Sequence, residues 1–146
     1  MVDVSEKATT VRQATAEGYL YTNASVLTQI SDAKIAKGDV FAVARVAGIQ
    51  GAKRCADLIP LCHPLALSKV DIEFQVEPEN GRIKATCFCK LSGKTGVEME
   101  ALTGVNIALL TLFDMCKAID PAMHIEGVKV LEKVGGKTGH WQNTSE

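Results

Sequence analysis

Asp114 and Lys117 stand three residues apart in a run, Ala101 to Ile119 (ALTGVNIALLTLFDMCKAI), that carries no other charge. At that spacing a carboxylate and an ammonium are neighbours on one helix face. A helix that is hydrophobic nearly all round is expected to be buried. The side chains around the pair in sequence, Leu110, Leu112, Phe113, Met115 and Cys116, argue against free exposure. Burial disfavours a charged lysine while a nearby carboxylate favours it, so a partly buried pair can be tuned for general acid or base work.

Three other places could carry chemistry. In Ile59-Pro60-Leu61-Cys62-His63-Pro64-Leu65 a proline follows the histidine and keeps it out of the α region. The imidazole is then held on an extended loop; the spacing alone is equally that of a histidine bonded to backbone beside a buried thiol. A zinc site from Cys62 and His63 lacks a second ligand pair at zinc-like spacing. The loops Gly93-Lys94-Thr95-Gly96 and Gly135-Gly136-Lys137-Thr138-Gly139 each end like a P-loop, but the first glycine of that motif falls on Phe88 and Leu131. Such turns can still hold phosphate through backbone N–H groups and an ammonium. With Lys53, Arg54, Lys129 and Lys133 they could form one basic pocket, or each could be a solvated turn. Glu98-Met99-Glu100 precedes the apolar run. Its carboxylates complement a helix N-terminus, or accept hydrogen bonds from the N–H groups of a guanine-like ligand.

The elements that must position these groups can be placed from pattern. Thr10 to Tyr21 reads as a strand. Ser25 caps a helix through Ile35 that stops at Gly38, and Asp39 caps a long helix running to Ile59 before Pro60. Val70, Ile72, Phe74 and Val76 alternate on one face between Lys69 and Pro78. After Asn80-Gly81, a hairpin signal, Ile83, Ala85, Cys87, Cys89 and Leu91 alternate likewise. A last strand covers Gly127 to Val134, and Gln142 to Glu146 form a tail. The expected fold is α+β, a ferredoxin-like antiparallel sheet with helices packed on one face, in a single domain over 1–146.

Composition narrows the function. The 146 residues include sixteen basic and seventeen acidic ones, a formal charge of -1, which provides no global field for nucleic acid or an anionic membrane. Aromatic residues, at 5%, are too few for a stacking platform. Five cysteines without a CxxC pair fit reduced thiols in the cytoplasm. The N-terminus has no apolar signal core, and the longest apolar run is charged, so no membrane span is expected.

Helix length adds a constraint. Glu100 and Asp114, if on one unbroken helix, are separated by roughly 21 Å while lying within about 40° of one another around its axis. One small reacting centre cannot touch both. Either the ligand is long, or each end belongs to a different site completed by another subunit, with the stripe Thr103, Gly104, Ile107 and Thr111 packed on that partner. The expectation is a homo-oligomer.

MVDVS at Met1, AKR at Ala52, LIPLCHPLALSKV at Leu58, GKTGVEMEALTGV at Gly93, DMCKA at Asp114 and GGKTG at Gly135 closely resemble the MoaC family of cyclic pyranopterin monophosphate synthases, along nearly the whole chain. The resemblance implies a ferredoxin-like domain assembled as a hexamer of three dimers with active sites at subunit interfaces. It implies a lyase acting in molybdenum cofactor biosynthesis on a small GTP-derived molecule, 3′,8-cyclo-7,8-dihydroguanosine 5′-triphosphate, with release of pyrophosphate. It also implies catalytic roles for Asp114, Lys117 and Lys37, substrate binding by Leu61, Cys62, His63, Met99 and Glu100, and further pocket positions at Arg12, Lys53, Glu98 and Lys133. No cofactor is required by the sequence, though Mg²⁺ can accompany the triphosphate. Two alternatives follow from the residues alone. A nucleotide-binding regulatory module would share the basic pocket but needs no ion pair in an apolar helix. A structural oligomer would explain the apolar helix but not a histidine locked before a proline.

Overall fold

The computed structural model describes residues 1–144. Five strands form one antiparallel sheet in the order β2-β3-β1-β4-β5, made of β1 (Thr10–Tyr21), β2 (Lys69–Glu77), β3 (Arg82–Gly93), β4 (His124–Val134) and β5 (His140–Gln142). Four helices, α1 (Ala24–Ser31), α2 (Val40–Lys53), α3 (Cys55–Leu58) and α4 (Glu98–Cys116), complete it. Strand order and connectivity are those of a ferredoxin-like α+β domain with β5 added at one edge, as expected.

Period-two patterning dictates the packing. Ala14, Ala16 and Leu20 of β1 lie on the buried face with Ile83, Ala85, Cys87, Cys89 and Leu91 of β3, and Ile72 of β2 joins them. Over this face lies α4, contributing Ala101, Val105, Ala108, Leu109, Leu112 and Met115 to the core. α4 is also long and apolar enough to cross a membrane, but here it is the core helix.

α2 and α4 approach closely at glycines. A Cβ added at Gly48 would collide with Ile72 Cδ1 and sit 2.9 Å from the Gly104 carbonyl, and one at Gly104 would sit 2.6 Å from Cys87 Sγ. Gly48→Val is therefore expected to destabilise the protein by about 3 kcal/mol, because a branched side chain must push two helices apart. Chemical denaturation checks this; an unchanged midpoint would show that the helix pair yields freely.

Several boundaries differ from the sequence expectation. α1 is capped by Asn23, whose side chain accepts from Val26 N–H at 3.0 Å, not by Ser25. It ends at Ser31 because Ala33 enters the left-handed region (φ 55°) and turns the chain away. Asp39 caps α2 as expected, but the helix breaks at Arg54, and α3 is a separate single turn. The expected β2–β3 hairpin closes through Pro78–Asn80, a 3-10 turn, and Gly81 at φ 63°, a four-residue loop that ends on Asn80-Gly81. β4 starts at His124, before the expected Gly127. Gly127 takes φ 69° where the β1–β4 register shifts, and the strand continues through it as a bulge. Of the expected tail, Gln142 pairs in β5, while residues 145 and 146 lie outside the described residues.

Candidate active site

The functional residues gather at the two ends of α4. At its C-terminal end the loop 32–39, released by the early stop of α1, delivers Lys37 to Asp114. Lys37 Nζ lies 2.8 Å from Asp114 Oδ2 and 3.2 Å from its backbone carbonyl, and Lys117 Nζ lies 3.0 Å from Oδ1. Each carboxylate oxygen thus holds one ammonium. The pair was expected to be partly buried; instead Asp114, Lys117 and Lys37 are 55%, 54% and 50% exposed at the side chain. Asp114 falls on the outward face of α4, and Lys117 caps the last turn, where a cation complements the helix dipole.

The two lysines hold the Asp114 carboxyl down to about 2 from an ordinary value of 3.8, through hydrogen bonds first and charge second. Because the folded value is depressed, the cluster's stabilisation is complete above about pH 4 and is lost as pH falls toward 2. A carboxyl carbon-13 titration is expected to place the Asp114 midpoint near 2, and Lys37→Ala to move it upward. A midpoint near 4 in the parent protein would mean that the lysines do not engage the carboxylate in solution.

The other end is a cleft about the N-terminus of α4. A cavity of about 430 Å³ is lined by Arg12, Glu98, Lys133, Lys137, Lys7 and the second glycine-lysine loop. Arg12, only 7% exposed, donates to the Gly93 and Lys94 carbonyls at 3.3 and 3.1 Å. A Cβ at Gly136 would strike its guanidinium, so Arg12 is bonded to the first glycine-lysine loop and packs against the second. Lys133 reaches Glu98 at 3.6 Å.

A neighbouring hollow of about 200 Å³ shares Gly96 and Glu98 with this cavity and adds Leu61, Cys62, His63, Met99 and Glu100. His63 Nε2 lies 2.7 Å from the Val2 carbonyl. A carbonyl only accepts, so Nε2 carries the hydrogen of this contact and Nδ1 is the ring nitrogen left for another partner. Glu100 is 3% exposed, and burial pushes its carboxyl up from the usual range. Lys53 lines a third hollow with Arg54, Cys55 and Glu100.

The expected basic pocket therefore forms only in part. Lys133 and Lys137 join Arg12 in the main cavity, whereas Lys53 and Arg54 line the separate hollow that also meets Glu100. The stripe Thr103, Gly104, Ile107 and Thr111, expected to meet a second subunit, is largely covered within the chain. Gly104 faces Gly48, Ile107 faces Gly51, and Thr103 donates to Cys55 Sγ at 3.4 Å. Sequence reasoning passed over Lys7 and Trp141, which line the cavities, because neither belongs to a motif. It also passed over Cys55, whose sulfur lies 3.9 Å from that of Cys62 in the loop after α3.

Cations and backbone turns beside carboxylates suit an anionic, N–H-bearing ligand, and the Lys37–Asp114–Lys117 cluster suits proton movement. The model of the MoaC family matches residues 1–136 of the 146. With the match running from β1 through the turn after β4, the chain belongs to the MoaC family, whose members act in molybdenum cofactor biosynthesis.

Proposed function

We propose that the protein is a cyclic pyranopterin monophosphate synthase, a cytoplasmic lyase that converts 3′,8-cyclo-7,8-dihydroguanosine 5′-triphosphate to cyclic pyranopterin monophosphate and pyrophosphate. The observation that carries this reading is the meeting of Lys37, 77 residues away in sequence, with Asp114 beside Lys117. Rebuilding a purine nucleotide as a pyranopterin opens one ring and closes another, so protons must move among nitrogen, carbon and oxygen. Two ammonium groups fixed by one carboxylate supply donors at defined positions. Asp114, held near 2, stays ionised at neutral pH and serves to aim both lysines.

Closing the cyclic phosphate requires a sugar-derived hydroxyl to attack the α-phosphorus as pyrophosphate leaves. Arg12, Lys53, Lys133 and His63 hold the triphosphate in this reading, with Mg²⁺ able to share its charge, while Leu61, Cys62 and Met99 wall the pocket. Glu98 or Glu100 accepts hydrogen bonds from the guanine-derived edge. The working unit is a homo-oligomer, a hexamer of three dimers, with each site assembled across a subunit boundary. Val43 and Val46 of α2 and Leu110 of α4, all exposed in the single chain, support such burial.

Supplying the cyclised triphosphate is expected to yield pyrophosphate and, after oxidation, a fluorescent pterin. Tight binding without turnover would instead point to a regulatory nucleotide module. Light scattering is expected to give a mass of six chains at micromolar concentration, and a monomer would refute the shared site.

A further inference from the structure

Cys55, Cys62 and Glu100 converge from three separate parts of the chain: the start of α3, the loop before Pro64 and the first turn of α4. The two sulfurs are 3.9 Å apart, and the ligand atoms of all three residues lie within 4.8 Å of one another. A tetrahedral ion bound through zinc–thiolate bonds of ~2.3 Å sets its two sulfurs roughly 3.8 Å apart. The cysteine pair already stands at that separation, well beyond the ~2.05 Å of a disulfide. Thr103 donates its hydroxyl to Cys55 Sγ at 3.4 Å, the kind of outer contact that aims a metal ligand. His63 stands apart from the set, its Nε2 engaged by the Val2 carbonyl.

We propose that Cys55 Sγ, Cys62 Sγ and the Glu100 carboxylate form a binding site for one thiophilic divalent cation of the zinc class. Two sulfurs select such an ion over Mg²⁺ or Ca²⁺, which take oxygen ligands. Three protein ligands leave a fourth tetrahedral position. Cys62 and Glu100 line the hollow of about 200 Å³ beside α4, and Cys55 and Glu100 line the smaller third hollow, so water or a donor atom of an occupant has access to that position. The site shares Glu100 with the pocket assigned above to the substrate, but a direct metal titration tests it whether or not that assignment holds.

Cd²⁺, which prefers the same ligands as Zn²⁺ and gives an ultraviolet thiolate charge-transfer band, is the probe for the reduced full-length protein. One Cd²⁺ per chain is expected, with a band of two-thiolate intensity that Zn²⁺ abolishes by competition. Cys62→Ser should halve the band and weaken binding at least about tenfold, and Glu100→Gln should weaken binding about as much while sparing the band at saturation. Cys116→Ser, which removes a buried thiol at the other end of α4, should change neither. Zn²⁺ should also raise the thermal midpoint of the parent protein but not that of Cys62→Ser. Cys55→Ser is a further test, and if that buried position does not tolerate serine, the Cys62 and Glu100 variants decide. Absence of the band overturns the proposal. So does a band that survives Cys62→Ser unchanged, as one arising from Cys87 and Cys89, whose sulfurs are 3.8 Å apart, would do.

Discussion

Asp114→Asn is expected to lower kcat by about a thousandfold, within the range that general acid–base groups supply, while KM changes little and the protein stays folded. The substitution keeps the shape of the side chain but removes the charge that holds Lys37 at 2.8 Å and Lys117 at 3.0 Å. Two like charges are then left facing one another with an amide between them, and neither ammonium keeps its aim. The fold survives because the side chain is 55% exposed and contributes nothing to the core. Lys37→Arg and Lys117→Arg separate proton transfer from mere charge. A guanidinium can still pair with Asp114 yet does not give up a proton, so both variants should keep stability and lose turnover by a similar factor. Recovery of turnover by either arginine would assign the lysines an electrostatic role only.

The burial of that ion pair was the feature that sequence misplaced, and the reason is geometric. Phe113 and Met115 flank Asp114 along the chain, but on a helix consecutive residues point in different directions. The neighbours that share its face are Leu110, Thr111 and Lys117. Leu110 is itself 53% exposed, so α4 carries apolar residues outward as well as inward, and hydropathy alone could not distinguish its buried side. The β2–β3 face was legible because strict alternation has a single solution on a sheet. The β4 start was not, since His124 and Ile125 pair with Tyr21 and Leu20 only through a bulge at Gly127.

Tertiary contacts explain the remaining misplacements. The Asn23 cap belongs to a network in which Asp120 accepts from Thr22 Oγ1 at 3.0 Å and Asn23 N–H at 3.2 Å, a link across nearly a hundred residues. Ser25, a good capping residue by type, sits within the first turn instead. Motif resemblance named many of the polar groups around α4, though not Lys7 or Cys55, and which of them touch required the fold. Lys37 reaches Asp114 because Ala33 ends α1 early. Arg12 reaches two loops because β1 lies beside both β3 and β4.

Two inactive variants are expected to restore one another when co-expressed. α4 runs unbroken from Glu98 to Cys116, so Glu100 and Asp114 are held roughly 21 Å apart along a rigid rod. A ligand that must meet His63 and Lys133 at one end and Lys37, Asp114 and Lys117 at the other can be served by one compact site only if the two ends come from different chains. A His63→Ala/Lys133→Ala double variant damages the first end and leaves Asp114 intact; Asp114→Asn does the reverse. Arg12 is left in place because it is buried and also holds the first glycine-lysine loop through the Gly93 and Lys94 carbonyls. In randomly mixed dimers, a site is whole when its first end comes from the Asp114→Asn chain and its second from the double variant, which is about one quarter of all sites. Turnover per chain should therefore rise from near background to about a quarter of the parent value once mass spectrometry shows mixed oligomers. Mixed oligomers whose activity stays at the average of the two inactive parents would place each site within one chain, spanned by a long ligand.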